Sequence, residues 1–224
     1  MTLPQAVRDV LDEMTGSIEA GWPDPETNKE QESPLWQLVV AFGSREDGSE
    51  PVEHDVWLRC LRLALYAARR ALPCWELYCD GREPQTAIAA VETWLATDTQ
   101  PADWEPLCRP ARPAFRNHPI GDCRSSDTSC AAEAAAYAVR FMRDGETILA
   151  YRAIAYADLA FDQSPLCDKD HFRRWLIEVA APAAYENRNL TPAERDALRD
   201  YDATEIPVIR EREAMYWNSW MREP

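Results

Sequence analysis

Three histidines, His54, His118 and His171, and seven cysteines, at 60, 74, 79, 108, 123, 130 and 167, are the soft donors of this 224-residue chain. A zinc site draws such donors from close sequence pairs, and neither C-x-x-C nor H-x-x-x-H occurs. Cys108, His118 and Cys123 could converge only across a proline-rich connector that offers no second pair of ligands, so packed or idle cysteines are expected and no metal or other cofactor. Nucleophilic catalysis calls for an activated Ser or Cys beside a histidine and an orienting carboxylate, and no G-x-S-x-G elbow is present. Cys79 precedes Asp80, whose anion would raise the thiol pKa and blunt it as a nucleophile. There is no P-loop and no G-x-G-x-x-G to cradle phosphate. Di-iron helical sites pair glutamates with Glu-x-x-His, a pattern also missing. Glu92 and Glu133 stand as acids in otherwise apolar helical stretches. Each either pairs with Arg62, Arg69 or Arg140 in a half-buried setting or lies on a solvated face. These residues point to a chain that acts by binding and is not an enzyme.

Charge and aromatic residues suggest where binding would occur. The formal charge is −15, and residues 1–55 carry 13 Asp/Glu against Arg8, Lys29 and Arg45, a net −10. A field of that sign repels nucleic-acid phosphates and anionic lipid and steers a basic protein partner, or else it serves solubility alone. Glu46, Asp47, Glu50, Glu53 and Asp55 form the densest acidic cluster and are the expected partner-facing residues. Of nine tryptophans most fall on apolar stripes, but Trp22 and Trp104 lie in expected loops. There a ring either anchors an interface or folds back over the core. An odd cysteine count suits a reducing cytosol, the chain start shows no basic n-region with an apolar h-region, and no run of about 18 apolar residues occurs.

The elements that must position these residues all read as helices. Only 7 Gly are present and the alanine-rich stretches lack β-branched runs, so no strand is expected. Val7, Val10, Leu11, Met14 and Ile18 predict a helix over residues 4–18, followed by an acidic, proline-rich loop over 22–32. Ser33 and Pro34 read as cap and first helical position of a short helix through residue 42, and 43–53 as a second acidic loop. The strongest pattern is 55–79, where Trp57, Leu61, Ala64, Ala68, Ala71 and Trp75 share one face and Arg59, Arg62, Arg69 and Glu76 another. Pro73 is expected to kink or divide this helix. Gly81 and Pro84 turn the chain into a second helix bearing Ile88, Val91, Trp94 and Leu95 inwards, completing a hairpin. Residues 97–124 hold five prolines and read as a connector. A second hairpin spans 131–142 and 146–161 about Asp144-Gly145, both alanine-rich arms being interior. It echoes the first: Ala64 to Arg69 leads to Asp80-Gly81 as Ala135 to Arg140 leads to Asp144-Gly145, a repeat or a coincidence of alanine-rich helices. Further helices follow over 168–180, interrupted by Pro182, after the Thr191-Pro192-Ala193-Glu194 start signal, and around Ile209, Met215, Tyr216 and Trp220. The expected fold is all-α, an irregular array of seven to nine helices in stacked hairpins and without a sheet. Residues 1–224 read as a single domain, with acidic N-terminal helices and loops over 1–54, a helical-hairpin core over 55–185 and C-terminal helices over 186–224.

The stretch Leu63-Ala64-Leu65-Tyr66-Ala67-Ala68-Arg69-Arg70-Ala71-Leu72-Pro73-Cys74-Trp75-Glu76, then Asp80-Gly81-Arg82-Glu83-Pro84-Gln85-Thr86-Ala87-Ile88 and Trp94, resembles the fifth numbered family of bacterial polymorphic-toxin immunity proteins. That family places a helix ending in a Leu-Pro-x-x-Glu type sequence before an Asp-x-Arg-Pro-x-x-Ala-Ile turn and helix, with an alanine-rich hairpin like 129–161 after it. The resemblance covers roughly residues 56–185, and Glu83 splits the family's adjacent Arg-Pro. It implies an all-α protein, encoded beside a secreted toxin, that neutralises this cognate toxin in the cytosol by direct binding. A helical scaffold or adaptor without a toxin, and an enzyme whose acidic pocket forms only in three dimensions, are the alternatives.

Overall fold

Alanine positions decide the centre of the fold. The computed structural model describes residues 3–20, 33–43, 53–111, 125–161, 164, 166, 169–198 and 203–220. Ala64, Ala67, Ala68 and Ala71 on α3 (His54–Glu76), Ala131, Ala134, Ala135 and Ala138 on α5 (Ser125–Asp144), and Ala150, Ala153, Ala157 and Ala160 on α6 (Thr147–Ala160) are all fully buried. Without side chains beyond Cβ, the three axes can approach closely, and α3, α5 and α6 pack on one another as the core. The stripe expected on α3 is therefore too narrow a description. Leu65 and Leu72, which the spacing adds to that face, are buried, and so are Cys60, Leu63 and Cys74 beyond it, because this helix is covered on most sides. Trp57 lies at its edge, half-buried, edge-on to Trp94 at 5.6 Å and stacked on Phe141 at 6.0 Å.

The outer helices close over that centre. α1 (Gln5–Ala20) and α2 (Pro34–Ala41) pack together, and α2 also packs on α6. Val7, Leu11, Met14 and Ile18 make the buried stripe of α1. α4 (Glu83–Thr97) leans mainly on α5 and only secondarily on α3, so the first hairpin is more splayed than its sequence suggests. The second is tight: Gly145 takes φ 76° and its N–H bonds Phe141 at 2.8 Å, a left-handed turn that glycine adopts without steric cost. After the core come α7 (Lys169–Tyr185), α8 (Pro192–Asp196) and α9 (Ile206–Trp220), the last entered through a 3₁₀ turn at Ala203–Glu205. Among the described residues there are nine helices and no strand, an all-α array as expected.

The expected breaks in the chain at Pro73 and Pro182 need correction. Pro73 does not divide α3, which runs on to Glu76: its missing N–H costs the one bond to the carbonyl four residues back, and Leu77 N–H still reaches the Pro73 carbonyl at 2.9 Å. Pro182 does not interrupt α7, whose segments Lys169–Trp175, Leu176–Ala180 and Ala181–Tyr185 run on without a break. The middle segment is a π-helix in which Ala181 N–H reaches back to Leu176. The extra residue is absorbed beside Pro182, which has no N–H to place. The expected loops at 22–32 and 43–53 lie mostly outside the described residues, as does 112–124 of the connector.

Candidate functional site

The polar stripe of α3 opens onto a recess of ≈ 450 Å³ between α3, α4, Trp175 of α7 and residues 189–196. Arg62, Tyr66 and Arg69 recur at steps of four and three and so share one face, with Arg70 beside them. Leu65, Leu190 and Trp175, each 5% exposed or less, give the recess an apolar floor. Arg195 and Asp196 come from α8, and Glu92 and Leu95 from α4. Four arginines face two carboxylates here, a local positive balance on a chain of net charge −15.

Most of this lining is held in place. Arg62 Nη1 donates to Asn189 Oδ1 at 2.7 Å, while its Nε is buried without a hydrogen-bond partner. Tyr66 donates its hydroxyl to the Arg188 carbonyl. Burial pushes the Tyr66 phenol up, and the Arg62 hydrogen bond opposes this in part. Arg70, only 3% exposed, donates to the Arg195 carbonyl at 2.7 Å and lies 5.0 Å from the centre of the Trp175 ring. Arg69 pairs with Glu92, both about 40% open to solvent, so Glu92 is the half-buried arginine partner that the sequence allowed. Glu133 makes no such direct pair: burial pushes its carboxyl up, and Arg140 instead donates to the Cys108 carbonyl at 2.8 Å.

The wall at 189–196 is set by the capping box read from the sequence. Thr191 accepts from Glu194 N–H at 3.2 Å, and Glu194 accepts from Thr191 N–H at 2.8 Å. Trp175 Nε1 donates to the Glu194 carbonyl at 2.8 Å, joining α8 to α7. The Arg188 guanidinium, then the Thr191 N–H, holds the Glu194 carboxyl down at about 2 instead of its ordinary 4.5. A depressed carboxylate stabilises the fold fully above its unfolded pKa, and that contribution is lost as pH falls from 4.5 towards 2. An NMR titration should find Glu194 ionised down to about 2, and Arg188→Gln should move its midpoint up towards 4.5. An unchanged midpoint would remove Arg188 as the cause.

Comparison with protein-family models, curated proteins and solved structures finds no match to this chain.

Of the residues expected to face a partner, Glu46, Asp47, Glu50 and Trp22 lie outside the described residues. Glu53 and Asp55 are exposed at the start of α3, where acids also complement the helix dipole. They lie about two turns before Arg62 and do not line the recess. Trp104 is half-buried against the core at the start of the short turn that ends at Cys108. Cys60, Cys74, Cys79 and Cys108 are buried and Cys130 is half-buried, and no three metal-binding side chains gather among the described residues. His118 and Cys123 of the considered Cys108 site are outside them. Among the described residues no helix is long and apolar enough to cross a membrane. Sequence reading missed the recess itself. Arg62 and Arg69 were visible as a stripe, but Arg195 and Asn189 meet them only through the fold of α7 and α8.

Proposed function

We propose that this chain is an immunity protein that binds a cognate toxin domain in the cytosol and neutralises it. The observation that carries the reading is a prearranged, arginine- and aromatic-lined recess on the very segment that resembles the immunity family. Arginine, tyrosine and tryptophan are the side chains that dominate protein interfaces, and Arg62 and Tyr66 are each already held by a hydrogen bond to the recess wall. Holding them in place before binding spares the ordering cost that weakens association. The acidic cluster Glu46, Asp47, Glu50, Glu53 and Asp55 supplies long-range steering if the toxin is basic.

Co-expression with the toxin domain encoded beside this chain should rescue growth, and the purified pair should form a stoichiometric complex. Failure to rescue, with both proteins folded, would sink the proposal. Reversing Glu50, Glu53 and Asp55 to lysine should cut the association rate at low salt by about tenfold or more and flatten its salt dependence. An unchanged rate would take the acidic cluster out of the interface.

A further inference from the structure

We propose that the recess between α3, α4, α7 and α8 is a binding site for a small organic anion. Its carboxylate or phosphate would be taken by Arg62, Arg69 and Arg195, and its apolar body would lie along Leu65 and Leu95. The toxin reading uses the same recess, so a bound anion would compete with the toxin for it; titration of the chain alone tests the anion without the toxin, and either reading can fail while the other stands.

Size, floor and charge agree on that ligand class. A volume of ≈ 450 Å³ falls within the range of about 300–1,000 Å³ usual for small-molecule sites, which combine an apolar lining with a few placed polar groups. The guanidinium fork matches carboxylate and phosphate oxygens two at a time. Arg69 already holds one carboxylate, that of Glu92, through a single Nη1–Oε1 contact at the edge of the recess. Arg195 is exposed, and its guanidinium has no side-chain partner among the described residues. Asn189 holds Arg62 through a neutral oxygen, so that bond leaves the Arg62 charge uncancelled.

Calorimetric titration of the full chain with phenylacetate and phenyl phosphate separates the two anion types, with acetate and inorganic phosphate as the bare groups and phenylacetamide as the neutral control. At least one aromatic anion should bind saturably at millimolar concentration, more tightly than its bare group, while phenylacetamide does not bind. Arg195→Ala keeps the backbone carbonyl that Arg70 uses and should weaken binding about tenfold or more, as expected for losing a charge-assisted bond. Glu92→Gln should strengthen it severalfold by freeing Arg69, an effect that a merely structural role for Glu92 would not produce. No saturable binding by any of the anions, equal binding of the neutral amide, or unchanged affinity in Arg195→Ala would overturn the proposal.

Discussion

Arg173→Ala is expected to lower unfolding stability by about 3–5 kcal/mol, because it leaves the Asp158 carboxylate buried without its guanidinium. The pair joins α6 to α7. Arg173 Nε and Nη2 donate to the two Asp158 oxygens at 2.8 and 2.9 Å, and the side chains are only 6% and 2% exposed. Asp170, at 3.7 Å, adds a weaker and more exposed partner. Taking both charges out of water is costly, and their bidentate contact offsets that cost only while both are present. Asp158→Ala should therefore cost about as much as Arg173→Ala, whereas Asp158→Leu with Arg173→Met should recover most of the loss. Arg69→Ala gives the contrast: its pair with Glu92 is about 40% exposed, so about 0–1 kcal/mol is expected. Urea midpoints at constant m-value read all four variants. A loss below about 1 kcal/mol for Arg173→Ala would mean that water reaches the pair.

That ion pair also shows the limit of sequence reading. Asp158 lies within the alanine-rich second arm and Arg173 within the helix expected over 168–180, and neither is singled out by its spacing. Their meeting depends on how α7 docks on α6, which helical periodicity cannot encode. What periodicity does encode was legible: the stripe of α1, the long α3, the alanine-rich arms, the Asp144-Gly145 turn and the Thr191 cap. The errors came where a local rule met a favourable position, as at Pro73 near a helix end and Pro182 beside a π segment. The recess was half legible. Arg62 and Arg69 declare their shared face by spacing, but a stripe of arginines looks the same over open water as over a cavity floor of Leu65, Leu190 and Trp175.

Trp75→Ala is expected to cost about 3–5 kcal/mol, the range for emptying a buried aromatic site, and the reason bears on the turn from α3 into α4. Trp75 is 1% exposed in the last turn of α3, and its Nε1 donates to the Gly81 carbonyl at 2.7 Å. Around it, Gln85 donates to Glu76 at 2.8 Å, and Arg210 of α9 donates to the Leu77 carbonyl at 2.8 Å while lying 3.5 Å from Asp80. These bonds staple the end of α3 to the start of α4 without using any recess residue. Trp75→Phe keeps most of the ring but strands the Gly81 carbonyl, so about 1–3 kcal/mol should still be lost. Trp94→Phe should be nearly neutral, since the Trp94 Nε1 is a buried donor with no acceptor to lose. If Trp75→Ala instead kept its midpoint while binding of the proposed toxin partner fell, the segment from Leu72 to Gly81 would be a contact surface. The packing argues the reverse: the Leu-Pro-Cys-Trp-Glu sequence into Asp80-Gly81 closes the turn that sets where α4, and with it Glu92 and Leu95, stands across from Arg62 and Arg69.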